Sequence, residues 1–201
     1  MTSEEIKEYY NSTTDREIRT DLLYAIELIV EPKIAIDCGC GAGSDIKYLL
    51  TKGFKIYGFD LEDLAIARCK ERFKGNANVV LSEDSFRSFR YPRASLVLAD
   101  ASLFFCPGND FDYVWSKMHE CLYPKGIFCG SFLGPEDTMA DSNYYKDAFW
   151  TDTLVFHEKQ VRSIFDNDYE ILRFTEHKSS GKSPNGMPHH WHIFSVVARK
   201  I

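Results

Sequence analysis

Ile34-Ala35-Ile36-Asp37-Cys38-Gly39-Cys40-Gly41-Ala42-Gly43 reads as a short buried strand that runs into a glycine-rich turn. A helix is expected from Ser44, with Asp45 adding negative charge to its first turn. Glycines at such a turn permit positive φ and keep Cβ atoms out of the way of a ligand lying across the backbone. The N–H groups at the following helix start can bind a carboxylate or a phosphate. Asp37, just ahead of the glycines, can accept from an ammonium group or hold the turn. The next unit, Lys55-Ile56-Tyr57-Gly58-Phe59-Asp60, reads as a second strand ending in an acid. Asp60 stands roughly 20 residues beyond the glycines, where a ribose-binding acid belongs in a nucleotide-binding βαβ unit.

A dinucleotide fingerprint wants G-x-G-x-x-G. Here the spacing is Gly39-x-Gly41-x-Gly43 followed by Ser44, which favours a ligand with an amino-acid tail over one with a pyrophosphate. The pattern D-x-G-x-G-x-G, with an acid ending the next strand, resembles the class I S-adenosylmethionine-dependent methyltransferases. Leu122-x-Pro124-x-Gly126 also fits that pattern, with Lys125 standing where glycine is usual. Three further segments are similar to small bacterial methyltransferases of the tellurite-resistance and thiopurine-methyltransferase-like type. They are Leu103 to Pro107, Gly130 to Asp137 and His190 to Lys200.

The resemblance implies an α/β fold: a Rossmann-like seven-stranded, mostly parallel sheet with helices on both faces and an antiparallel C-terminal hairpin strand. The cofactor implied is S-adenosyl-L-methionine, with S-adenosylhomocysteine as product. Its expected contacts are Asp37, Gly39, Cys40, Gly41 and Gly43 in the turn, and Asp60 with its neighbour Leu61 after the second strand. Asp84, preferred to Glu83, lies after a third strand with Ser85 beside it, where an acid can accept from an adenine amine. Ala99 and Asp100, ending a fourth strand, offer carbonyls to the methionyl ammonium. Arg19 is placed with these from an N-terminal segment that also carries Tyr9, Tyr10 and Arg16. On the substrate side stand Tyr9, Tyr10, Phe104, Phe105 and His190. No residue is assigned as a catalytic acid or base.

The 201 residues suit one domain, with residues 1–30 as a helical segment or lid and 31–201 as the core. A net charge of −6 argues against a nonspecific phosphate-backbone binder, so no nucleic-acid partner is expected and a small-molecule substrate is. No run of about 18 apolar residues is present, so no membrane span is expected. The polar, acidic N-terminus is unlike a signal peptide, and a cytoplasmic monomer or homodimer is the expectation. The six cysteines include no C-x-x-C and read as reduced thiols. His189, His190 and His192 lack evident third and fourth partners for zinc, and no metal is assigned.

Along the chain, an amphipathic helix is expected over about 15–30, capped by Thr14 or Asp15, with Leu22, Leu23, Ile26, Ile29 and Val30 as its apolar stripe. Further helices are expected over 44–52, 61–73, 111–122 and from about 157. Strands are expected over 78–81, 94–100, 127–133, 169–174 and 191–199, with a long loop over 179–187. Two other functions fit less well: an NAD(P) oxidoreductase, and an S-adenosylmethionine-binding protein without turnover. A methyltransferase acting on protein or tRNA is a further alternative.

Overall fold

The strands pair as the alternation of their side chains requires. In the computed structural model, which describes residues 3–141, 153–183 and 186–201, β1 (Ile34–Cys38) lies parallel between β2 (Lys55–Asp60) and β4 (Ala94–Ala99). β3 (Val79–Glu83) pairs parallel with β2, and β5 (Leu122–Leu133) with β4. β7 (Pro188–Lys200) then runs antiparallel between β5 and β6 (Tyr169–Lys182). The order is β3-β2-β1-β4-β5-β7-β6, a seven-stranded sheet that reverses its winding between β1 and β4. The expected seven-stranded, mostly parallel architecture with an antiparallel end is what the chain adopts.

Successive residues of a strand point to opposite faces, so each strand feeds two cores. Ile36, Val97, Phe128 and Val196 face α5 (Phe111–Cys121) and α6 (Glu158–Ile164), which supply Val114, Met118 and Val161. Ala35, Ile56, Leu96, Leu98, Ile127 and Val197 face the other side. There α2 (Thr20–Glu27), α3 (Ser44–Thr51) and α4 (Asp63–Arg72) supply Leu22, Ala25, Ile46, Leu49 and Ile66. Strands buried on both faces explain the near-continuous apolar runs at Ala94–Ala99 and Ile127–Leu133. No helix among the described residues is long and apolar enough to cross a membrane.

Three expectations need correction. The helix expected over 15–30 is shorter: it is α2 (Thr20–Glu27), preceded by a non-helical link that joins it to a separate helix, α1 (Ser3–Thr13). Neither Thr14 nor Asp15 caps the start of α2; the Thr14 hydroxyl instead donates to the Tyr10 carbonyl in the last turn of α1 at 2.6 Å. The Thr14 carbonyl accepts from Ser44 Oγ at 2.8 Å and from Arg72 at 2.6 Å, and the Asp15 carboxylate takes Lys47 and Arg72. These tertiary contacts outweigh the local helical preference, and Val30 is left 81 % exposed instead of joining an apolar stripe. The loop expected over 179–187 is shorter, because Ser179–Lys182 continue β6 opposite Trp191, His190, His189 and Pro188. The β7 ladder carries these Ser, Gly and Lys residues, whose own strand preference is weak. Finally, α4 begins at Asp63 rather than Leu61, because Asp60 Oδ1 accepts from the Glu62 N–H at 3.0 Å and holds that stretch as a turn.

Lys125 departs from the usual glycine of its motif yet occupies the conformation a glycine would take, with φ at +63°. It sits where the pairing of β4 and β5 shifts register, between Ala94↔Leu122 and Leu96↔Ile127.

Candidate active site

Ligands of open α/β sheets bind beyond the carboxyl ends of the strands, at the point where the strand order reverses. That point here is the pair of loops after β1 and β4, and the chain ties them together. Ser102 Oγ donates to the Cys38 carbonyl at 2.6 Å, and the Ala101 N–H donates to Ser131 Oγ at 2.7 Å with Ala101 at φ +51°. Neither serine was singled out in the sequence, since a lone serine after a strand carries no distinguishing pattern.

The turn itself is built from the strand beside it. Gly39 and Cys40 both donate their N–H groups to the Phe59 carbonyl at 2.9 Å, and Gly43 donates to the Cys40 carbonyl. Asp60 Oδ2 accepts from the Gly41 N–H at 2.8 Å. The acid ending β2 is therefore wired directly to the middle of the glycine turn. Burial raises the Asp60 carboxyl above its ordinary value, and the N–H donors of Glu62, Gly41 and Leu61 oppose this. A carboxylate offers about four lone-pair positions, so these backbone donors still leave it room for a hydroxyl. Leu61 is exposed at the lip next to it.

The three glycines have different neighbours, which the spacing alone did not reveal. A Cβ on Gly39 would lie 2.6 Å from Ser102 Cβ, and one on Gly43 would lie 2.8 Å from Phe73 and 2.9 Å from Cys69 Sγ. Both glycines are required by packing against the protein. Gly41, at φ +49°, has only the Tyr10 ring within reach, at 3.9 Å. It is the open face of the turn.

Asp37 is 4 % exposed, and its Oδ2 is buried with no hydrogen-bond partner. Burial pushes its carboxyl well above the ordinary range. Asp45 adds to this, while the Arg16 guanidinium opposes it. An unsatisfied buried acceptor is costly and calls for an account. A donor cation delivered by a ligand would satisfy it.

Charge is concentrated around this point. Arg19 grips Asp100 with two nitrogens, at 2.8 and 3.0 Å. Arg16 pairs with Asp45 and reaches Asp100 at 3.6 Å. Burial alone would lower the Arg16 guanidinium, but Asp45, Asp100 and Asp37 more than offset it and the net shift is upward. Asp45 is raised by burial, with Arg16 opposing. From the sequence, Arg19 is expected among the cofactor contacts and Arg16 only as part of a covering N-terminal segment, with Asp45 as first-turn charge. The three-residue spacing of the two arginines was the one available signal.

α1 closes over the turn. Tyr10 is buried with Ala42 and Ala65. Tyr9 is half-exposed, with Arg16, Asp60, Arg19 and Asp100 as electrostatic neighbours. Ser44 Oγ donates to the carbonyls of Thr13 and Thr14, fastening the segment to the start of α3. Asp84 joins the group through its N–H, which donates to the Asp60 carbonyl at 3.0 Å. Its Oδ1 accepts from Ser88 Oγ at 2.8 Å, and Ser85 shares that turn. Ala99 is buried at the end of β4, and Phe104 is buried just beyond it, with Phe105 partly exposed at 4.6 Å between ring centroids. His190 lies on the hairpin. Its Nδ1 is 2.8 Å from Ser180 Oγ and its N–H donates to Thr138. The neighbouring His189 faces Asp137, and His192 is held by the Glu136 N–H and Glu176.

Residues 35–126 match a protein family described as a methyltransferase domain. That stretch, a little under half of the chain, is similar to a methyltransferase domain. The match runs from β1 to the start of β5, through the turn, Asp60 and Asp100. TehB from Haemophilus influenzae has the same fold, with a TM-score of 0.75, 18% identity, and coverage of 98% of this chain and 67% of that one. The 1,6-didemethyltoxoflavin-N1-methyltransferase of Burkholderia thailandensis superposes with a TM-score of 0.63 at 18% identity, over 98% of this chain and 86% of that one. That enzyme was crystallised with S-adenosylhomocysteine bound. The carboxy-S-adenosyl-L-methionine synthase of Haemophilus ducreyi is 27% identical over 112 residues, 52% of this chain and 46% of that protein. The chain spans less than half the length of the curated relatives it matches. The expected resemblance to methyltransferases is borne out by the match over residues 35–126, and the likeness to TehB is one of fold.

Proposed function

We propose that the chain transfers the methyl group of S-adenosylmethionine to a small-molecule acceptor. The observation that carries this is the unpartnered, buried Asp37 Oδ2 beneath a glycine turn whose open residue, Gly41, is held by the acid at the end of β2. An amino-acid ammonium would answer the first, and ribose hydroxyls would answer Asp60. The residues present fit the cofactor: Asp37 and the Ala99–Asp100 turn for the ammonium end, Gly39 to Gly43 along its length, Asp60 and Leu61 for the ribose, and Asp84 and Ser85 for the adenine. Arg19 serves from above. When bound, the cofactor supplies a methyl already activated by its sulfonium. The protein's part is to position the acceptor and exclude water.

The N-terminal segment, residues 1–30, acts as a lid, with α1 lying on the turn and Arg16 and Arg19 reaching both of its lips. A covered site favours a small acceptor over a protein or tRNA. A thiol or another chalcogen centre suits it best, because such a nucleophile largely needs no general base, whereas an amine or hydroxyl would. Phe104 and Phe105, with Tyr9, Tyr10 and His190 further out, are the proposed acceptor side.

Calorimetric titration with S-adenosylhomocysteine, alongside NAD and NADP, tests the cofactor. Binding of the homocysteine ligand alone is expected. Binding of a dinucleotide in its place would overturn the assignment. Assay of thiols, selenite, tellurite and small amines for methyl transfer then tests the acceptor, and cofactor binding with no turnover on any acceptor would favour a binding protein.

A further inference from the structure

Arg72, at the end of α4, touches two parts of the candidate site that are far apart in the chain. Its Nη1 donates to the Ala42 carbonyl in the glycine turn at 2.8 Å and to the Thr14 carbonyl in the N-terminal link at 2.6 Å. Its Nη2 pairs with Asp15 at 2.7 Å. The guanidinium lies over the Phe73 ring, 5.5 Å from its centroid. One turn earlier on the same face of α4, Cys69 Sγ donates to the Gly41 carbonyl at 3.2 Å. Two successive carbonyls of the turn are thus taken by one helix, and Arg72 extends that grip to the link. The same helix starts beside Asp60, whose Oδ1 holds the Glu62 N–H and whose Oδ2 holds the Gly41 N–H.

A guanidinium suits this set of contacts. Its donors sit in a rigid planar fork, so two carbonyls and a carboxylate held by it keep a fixed spacing, whereas an ammonium on a flexible stem fixes none. Arg16 and Arg19 reach side chains, Asp45 and Asp100. Ser44 Oγ shares the Thr14 carbonyl but ties it to the start of α3. Arg72 binds main chain in both the turn and the link, so movement of either is felt by the other.

We propose that Arg72 is a positioning residue that couples the N-terminal segment to the glycine turn. Cofactor held on the turn steadies Ala42, Arg72 passes this to Thr14, and α1 opens less often. Coupling between two equilibria is reciprocal, so the seating of α1 tightens cofactor binding by the same factor. The proposal rests on the cofactor reading above.

The turn and α1 both carry hydrogen-bonded N–H groups, so amide exchange reports on each. Exchange is measured in the full chain with and without saturating S-adenosylhomocysteine, beside calorimetric affinity, for the parent, Arg72→Met and Asp15→Asn. In the parent the ligand is expected to slow exchange about tenfold across Ser3–Thr13 as well as at 39–43. Arg72→Met should keep the ligand's protection of 39–43, lose that of Ser3–Thr13 and bind about tenfold more weakly, the two losses being equal in size. Asp15→Asn keeps both carbonyl bonds and should behave as the parent. Absence of ligand protection at α1 in the parent would overturn the proposal, as would its persistence in Arg72→Met, which would leave Arg72 a prop for the turn alone. Loss of the coupling in Asp15→Asn would place it in the ion pairs and would also overturn it. Should the methionine variant not fold, Arg72→Gln, shorter and uncharged, is read in the same way. If the parent binds no S-adenosylhomocysteine, the cofactor reading has failed and the ligand-free chain decides. Faster exchange at both segments in Arg72→Met then supports the link, and a change at one alone or at neither overturns it.

Discussion

At Gly39, Gly41 and Gly43 one residue type does two jobs. Gly41→Ala meets only left-handed backbone strain, about 1 kcal/mol, so its melting temperature should fall by only a few degrees while S-adenosylhomocysteine affinity falls sharply. Gly43→Ala adds overpacking against Phe73 and Cys69, a further ~1–3 kcal/mol, and should melt much earlier. Equal melting temperatures for the two variants would contradict the assignment of Gly41 as the ligand face. Asp60→Ala removes the acceptor of the Gly41 and Glu62 N–H groups as well as the ribose acceptor, so affinity should fall by more than ~1 kcal/mol. Unchanged affinity in a folded variant would refute Asp60 as a cofactor contact.

Asp37 carries a pH dependence. With its native carboxyl raised chiefly by burial, the folded chain keeps a proton that the unfolded chain releases near pH 4. Raising the pH from there to the native value therefore lowers stability. Asp37→Asn removes that penalty. Melting curves from pH 4.5 to 8.5 should show the variant gaining on the parent as pH rises, with the least difference at the acid end, while it binds S-adenosylhomocysteine more weakly. A variant less stable than the parent at pH 8 would contradict this.

Among the elements, α1 and the link that joins it to α2 are the part whose attachment is chiefly polar. α1 contributes Tyr10 to the turn, but the link from Thr13 to Arg19 is held by Ser44, Arg72, Asp45 and Asp100. Ion pairs with one exposed partner contribute little individually, on the order of 0–1 kcal/mol, so this region should open before the sheet does. Arg16→Ala combined with Arg19→Ala should raise amide exchange across Ser3–Thr13 by tenfold or more and leave β1 and β4 protected. Equal protection of α1 in parent and variant would show that the arginines do not latch it.

In the molecule as a whole, β7 closes the sheet. Phe194, Val196 and Ala198 enter one core, and Val197 enters the other. A chain ending at Lys182 should therefore fail to fold, lacking the strand that joins β5 to β6 and plugs both faces. Circular dichroism and a melting transition like those of the parent would disprove it.

Much of this was legible in the amino-acid order because it is local. The turn, its D-x-G-x-G-x-G spacing, Asp60 at a strand end and the apolar runs of β1, β4 and β5 depend on neighbours within one βα unit. The features that were not legible arise from contacts between distant parts of the chain. The split of 15–30 into α2 and an extended link depends on Ser44 and Arg72, and the extension of the hairpin through Ser179–Lys182 depends on β7. So do the burial of Asp45 against Arg16 and the tie from Ser102 to Cys38. Periodicity and turn chemistry determine which elements form and in what order, since they act over a few residues. Which glycine is left open to a ligand and which acid is left unpaired were decided only when the sheet brought residues tens of positions apart within reach of one another.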